Sequence, residues 1–101
     1  MSATFLMSAN GVATHIINSC PSLKDFDAYM FGSTLKGIGK DIDILIVGPS
    51  GEALSDLKKE MFEAARELPL DVMYMLPSEA YETNFVIQEG CVELAVLADM
   101  T

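Results

Sequence analysis

Basic residues are scarce in this chain, which has six lysines and arginines against fifteen aspartates and glutamates and a formal net charge of −9. Proteins that bind duplex or transfer RNA normally carry a basic stripe, because neutralising phosphates and releasing counterions drives that binding. Lys36 and Lys40 share one loop, and Lys58, Lys59 and Arg66 lie among acids on a later helix. The sequence therefore disfavours nucleic acid as a partner.

Cysteine and long apolar runs are also scarce. Cys20 and Cys91 are too few for a disulfide framework and lack the Cys-x-x-Cys or Cys/His spacing of a zinc site. No segment approaches the roughly 18 continuous apolar residues of a membrane span, and the N-terminus lacks the basic start of a signal peptide. We therefore expect a soluble, cytoplasmic protein with reduced thiols. A chain of 101 residues predicts a single domain, 1–101.

Four helices are predicted from the spacing of apolar residues and from cap signals. The first covers about residues 3–19, within an N-terminal segment 1–25, and a short one follows Ser33. An amphipathic helix follows the Gly-Pro-Ser-Gly turn and covers about 54–68. The last begins at Ser78, runs to Gln88 and ends at Gly90.

Four strands are predicted between these helices, in the order α-β-α-β-α-β-α-β. The second is an aliphatic run that should be buried on both faces. The strands from residues 26 and 41 are expected to neighbour each other and the strand of Asp71. The predicted fold class is α/β (α+β), a mixed sheet of about four strands flanked by helices mainly on one face, with strands over 26–31, 41–47, 68–75 and 91–94.

A Gly-Ser turn precedes two closely spaced carboxylates. Gly32 and Ser33 end the first strand, and such a turn presents backbone N–H groups and a hydroxyl to an anion such as a phosphate. Asp41 and Asp43 follow at the start of the second strand, where alternation directs both side chains to one face. Two acids on one face make half of a metal site. The residue types predict a triphosphate held between the turn and metal ions on the aspartates, as phosphoryl or nucleotidyl transfer requires.

The ordered set resembles the DNA polymerase beta-like nucleotidyltransferase superfamily, and most closely its minimal nucleotidyltransferase (MNT) branch. The superfamily pattern is an apolar residue, Gly, Gly or Ser, a variable loop, then Asp, apolar, Asp or Glu, apolar. Here it is Phe31-Gly32-Ser33, seven residues, then Asp41-Ile42-Asp43-Ile44. The resemblance extends over a core of about residues 26–94.

The resemblance implies a catalytic and metal site built from Asp41, Asp43 and Asp71, the third acid coming from the next long strand. It implies two Mg²⁺ ions, with Asp71 supporting one ion and the attacking hydroxyl. Gly32, Ser33 and Lys36 would contact the nucleotide, with Lys36 standing where close relatives often carry arginine. The substrate would be a nucleoside triphosphate, with ATP expected. The acceptor would be a hydroxyl of a protein or small molecule.

Three hypotheses stay open from the sequence. The first is an active nucleotidyltransferase. The second is an antitoxin-type module that binds and neutralises another protein, as relatives paired with small helical toxins do. The third is a degenerate member that keeps the fold without turnover. A small, methionine-rich chain that is half apolar also predicts a homodimer or a small helical partner that covers the first helix or the 73–76 region.

Overall fold

A four-stranded mixed sheet forms the centre of the fold in the computed structural model, which describes residues 8–36 and 41–99. The sheet order is β3-β2-β1-β4, with β1 antiparallel to β2 and β4, and β2 parallel to β3. The central strand β2 thus neighbours both β1 and the strand of Asp71, which confirms the predicted mixed sheet. The strands are β1 (Asp27–Phe31), β2 (Ile42–Val47), β3 (Leu70–Met75) and β4 (Val92–Glu93).

Three of the helices cover one face of the sheet and build the core with it. Apolar side chains recur at helical spacing on α1 and α2, so each helix buries one stripe against alternate residues of the strands. Ile44, Leu45 and Ile46 of β2 are at most 1% exposed, which confirms a strand buried on both faces. The helices are α1 (Ala9–Ser19), α2 (Glu52–Ala64), α3 (Pro77–Thr83), α4 (Phe85–Gln88) and α5 (Leu94–Asp99), with 3₁₀ helices at Pro21–Asp25 and Ser33–Lys36.

The α3–α4 segment contacts the opposite face of the sheet. Phe85 of α4 meets Phe31 of β1 edge to face, with ring centroids 5.1 Å apart and an interplanar angle of 89°. Phe31 follows the fully buried Met30, so its side chain lies on the face away from the main core. Asn84, in the left-handed region at φ 54°, separates the two short helices. The single helix predicted over 78–88 is therefore wrong, because a left-handed residue cannot continue a helix.

Other boundaries also differ from those predicted, among them the helix predicted over 54–68, which is Glu52–Ala64. The predicted cap at Ser78 is wrong, since Pro77 already occupies the first turn and the Glu79 carboxylate accepts the Leu76 N–H at 2.8 Å. The predicted strand 91–94 is shortened to Val92–Glu93 because Leu94 begins α5, whose buried leucines pack toward α1. The first helix begins at Ala9, after a Ser8 cap, and its predicted start near residue 3 lies outside the described residues.

The side chain of Asn10 joins the two terminal helices. Its amide donates to the carbonyl oxygens of Leu97 at 2.8 Å and Ala98 at 3.2 Å. These carbonyls belong to the last turn of α5, where backbone acceptors have no partner within the helix. The bonds tie the C-terminal helix to α1 and close the core below the sheet.

Candidate active site

The sheet brings an aromatic residue and two acids into one row across three strands. Asp43 of β2 lies opposite Phe31 of β1 on one side and opposite Asp71 of β3 on the other. Residues paired in this way direct their side chains to the same face, which here is the face that α4 contacts. Asp41 lies one residue before β2 begins, and its charge acts on the Asp43 carboxyl. The three predicted acids therefore lie near one another at one end of the sheet.

Asp43 is the most enclosed acid of the row. Its side chain is partly buried, whereas Asp41 and Asp71 are exposed. Burial raises the pKa of the Asp43 carboxyl above its ordinary value, and the negative charges of Asp71 and then Asp41 raise this pKa further. The charges of Asp71 and Asp41 thus disfavour ionisation of Asp43, and a divalent cation bound beside Asp43 would relieve that repulsion.

Gly32 packs directly against this carboxylate. The residue has φ 81°, in the left-handed region that side chains other than glycine rarely adopt. A Cβ at this position would overlap the Asp43 Oδ2 atom and lie 3.3 Å from its Cγ. Glycine is therefore required twice, by its backbone angle and by the close approach of the turn to the acid. This contact joins the predicted phosphate-binding turn to the predicted metal ligands.

The residues after Gly32 form a tight turn at the same end of the sheet. Ser33 begins a 3₁₀ helix that ends at Lys36, and the Leu35 N–H donates to the Gly32 carbonyl at 3.2 Å. Ser33 is partly buried. The side chain of Lys36 and residues 37–40 lie outside the described part of the structure. Nucleotide contacts by Ser33 and Lys36 stay predictions.

The acids suit Mg²⁺ in type but do not form a closed cage. Within residues 8–36 and 41–99, no three His, Cys, Asp or Glu side chains approach closely enough to hold an ion among themselves. Mg²⁺ prefers hard oxygen ligands, keeps several waters and is commonly bound through one or two carboxylates together with substrate phosphates. The row therefore fits an ion that arrives with a nucleotide, and Asp43 with either neighbour would supply the protein ligands.

Comparison with known proteins assigns the chain to a family. A model of the nucleotidyltransferase domain family matches residues 14–92. The chain belongs to this family. The match runs from α1 through the first residue of β4 and includes the Gly32 turn and all three acids. No curated protein and no solved structure gave a significant match.

The family assignment confirms the resemblance seen in the sequence and supports a general role in nucleotidyl transfer. Nucleotidyltransferases of this family generally use a nucleoside triphosphate and a divalent metal. Among the described helices, none has the length and apolar character required to cross a bilayer.

Sequence reasoning missed the contact between Phe31 and Phe85 beside Asp43. Phe31 was noted only as the apolar residue before the Gly-Ser turn, and Phe85 only as part of a helix. Their contact depends on the reversal at Asn84, which directs α4 back over the sheet. The available signal was Asn84 itself, since asparagine is among the few residues other than glycine that enter the left-handed region readily.

Proposed function

We propose that this domain transfers a nucleoside monophosphate from a nucleoside triphosphate, with ATP as the expected substrate, to a hydroxyl of a protein or small molecule. One observation carries the proposal: Asp43 lies between Asp71 and the Gly32 turn, with its pKa raised by burial and by two neighbouring acids. A phosphate-binding turn in contact with a cation-binding carboxylate is the arrangement that nucleotidyl transfer needs.

We assign separate tasks to the residues of the row. Gly32 and Ser33 would hold the triphosphate, with Lys36 as a further cation for it. Asp41 and Asp43 would hold Mg²⁺, which when bound neutralises the phosphate charge. The acceptor oxygen forms a bond to the α-phosphorus, the bond from that phosphorus to the bridging oxygen breaks, and pyrophosphate leaves with the electron pair. Asp71 would orient the acceptor hydroxyl and draw away its proton.

The charge of the chain supports a protein or small molecule as acceptor. A net charge of −9 repels the phosphates of a nucleic acid, whereas a nucleotide carrying Mg²⁺ brings its own neutralising charge. We expect the domain to work in the cytoplasm, where nucleotides are supplied.

A partner-binding module of the antitoxin type is the second candidate, and one observation favours it. Met73 and Leu76 are 40% and 42% exposed. The apolar stripe of α1 is buried within the chain, so a homodimer or a small helical partner would use the 73–76 region rather than the first helix.

Titration calorimetry of the full chain with ATP, in the presence and absence of Mg²⁺, tests the proposed site. Wild type should bind ATP only with Mg²⁺, and Asp43→Asn should weaken both this Mg²⁺-dependent binding and nucleotide transfer. Asp71→Asn should keep nucleotide binding and lose transfer by orders of magnitude. Asp56→Asn, at an exposed position on α2, is the matched control and should behave as wild type. Wild type that binds no nucleotide with Mg²⁺ would leave only the partner-binding candidate.

A further inference from the structure

The outer edge of β3 carries backbone groups with no described partner. β3 is the last strand on its side of the sheet, and among residues 8–36 and 41–99 only β2 pairs with it. The parallel ladder begins with the Ile42 N–H donating to Pro69 and ends with the Gly48 N–H donating to Met75. Because backbone groups alternate sides along a strand, residues 69, 71, 73 and 75 face β2. Residues 70, 72, 74 and 76 therefore face outward.

Only the middle of this edge is free to pair fully. The Leu70 N–H already donates to the Leu68 carbonyl at 2.8 Å. The Leu76 N–H donates to Glu79, and the Leu76 carbonyl accepts from Ala80 at 3.0 Å. Val72 and Tyr74 each keep a donor and an acceptor, and the Leu70 carbonyl is a third acceptor with no described partner. The edge also lacks the devices that normally block pairing, since β3 contains no lysine, no proline and a single charge, Asp71.

We propose that this edge pairs with the same edge of a second copy of the chain. In an antiparallel pair, residues that exchange both of their hydrogen bonds lie directly opposite each other. Placing Val72 opposite the second copy's Tyr74, and the reverse, forms four hydrogen bonds that pair the N–H and carbonyl groups of Val72 and Tyr74 in both chains. The two-fold axis then passes beside Met73, whose exposed side chain meets its own copy. The two sheets join into one of eight strands.

Other registers leave a backbone group of Val72 or Tyr74 unpaired. Pairing Val72 with its own copy places Tyr74 opposite Leu70, whose N–H is already used. Pairing Tyr74 with its own copy places Val72 opposite Leu76, whose donor and acceptor are both engaged. Pairing Asp71 with its own copy sets like charges directly opposite each other, which is unfavourable. Among these registers only the one centred on Met73 pairs every backbone group of Val72 and Tyr74, and it places Asp71 opposite the second copy's Met75.

A second copy fits this edge better than a helical partner does. A helix satisfies its backbone groups internally and leaves none for a strand edge, whereas an extended strand supplies them in the required alternation. The pairing also closes at two copies, because the opposite sheet edge is the two-residue β4, which leads directly into α5. Each chain carries a charge of −9, so screening by salt should strengthen the dimer.

Engineered disulfide formation tests the register directly and needs no nucleotide. Residues at a non-hydrogen-bonded antiparallel pair have Cα atoms about 4.5 Å apart, within the range that a disulfide spans. With Cys91 replaced by serine and the buried Cys20 retained, Met73→Cys should give a covalent dimer on mild oxidation. Phe62→Cys is the matched control, since this residue is 71% exposed on α2 and should give none.

Sedimentation of the full chain over a range of concentration and salt gives an independent readout. Met73→Lys would place two cations opposite each other and should yield a monomer, whereas Phe62→Lys should keep the dimer. Circular dichroism verifies that each variant is folded. A wild type that stays monomeric at high concentration and high salt overturns the proposal, as does equal cross-linking through both cysteines. A monomer that instead binds an added extended peptide would assign the edge to another protein.

Discussion

Replacing Gly32 by alanine tests the contact on which the site depends. An alanine held at φ 81° costs about 1–2 kcal/mol, because the left-handed region crowds its Cβ against the backbone. At this chain length that cost corresponds to a fall in melting temperature of about 4–16 °C. The new Cβ would also overlap the Asp43 carboxylate, so the acid or the turn must move. We expect Gly32→Ala to lose Mg²⁺-dependent nucleotide binding in addition to lowering the melting temperature.

Gly90→Ala separates these two effects. Gly90 has φ 64°, and a Cβ there meets nothing within 4 Å, so this variant has the backbone cost without the overlap. It should lower the melting temperature and leave nucleotide binding intact. In an Asp43→Gly background, Gly32→Ala should cost only the backbone part, and the double-mutant cycle should show coupling of about 0.5–3 kcal/mol. Thermal melts and calorimetry supply both readouts. Equal costs for Gly32→Ala in both backgrounds would refute the reasoning.

Three further predictions concern Asp43 and two side-chain contacts that stabilise the fold. Because the pKa of Asp43 is raised in the folded state, ionising this carboxyl lowers the stability of the fold; the loss is absent below the ordinary pKa of 3.8 and complete above the folded pKa. Asp43→Asn should therefore raise the melting temperature at neutral pH and match wild type in acid. A lower melting temperature of the variant at neutral pH would contradict this. Phe85→Ala loses the edge-to-face contact with Phe31 and should lower the free energy of unfolding, measured in urea, by about 1–3 kcal/mol. A loss below about 0.5 kcal/mol would contradict this. The Glu60 carboxylate accepts two hydrogen bonds from Ser22, from the backbone N–H at 3.0 Å and from Oγ at 2.8 Å. Glu60→Ala removes this acceptor and should lower the free energy of unfolding by about 1–3 kcal/mol in the same assay. An unchanged urea midpoint would show that these bonds contribute nothing.

Local patterns were enough to predict the sheet and the position of the acids. The aliphatic run of β2 predicted a doubly buried strand, which the structure has, and the i, i+2 spacing of Asp41 and Asp43 predicted carboxylates close together. The third acid came from the resemblance, and the register of β2 and β3 brings it beside Asp43. Each of these features depends on residues close in sequence or on a motif with a known order.

What the sequence did not reveal depends on contacts between distant segments. The second reason for glycine at position 32 is a carboxylate eleven positions later, which approaches only after β1 and β2 pair. Residues 94–99 become helical because their leucines are buried with α1, which lies at the other end of the chain. Asn84 alone does not specify that α4 turns back toward Phe31. Tertiary packing decided all three.

Transfer of radioactive label from ATP tests the central claim most directly. The full chain is incubated with Mg²⁺, candidate acceptor proteins or small hydroxyl compounds, and ATP labelled on either the α- or the γ-phosphate. Nucleotidyl transfer predicts that α-label appears on an acceptor and that γ-label leaves in pyrophosphate. Asp71→Asn should transfer no measurable α-label. Transfer of γ-label would show phosphoryl rather than nucleotidyl transfer and would contradict the account. So would wild type that transfers no α-label to any acceptor and binds no nucleotide with Mg²⁺.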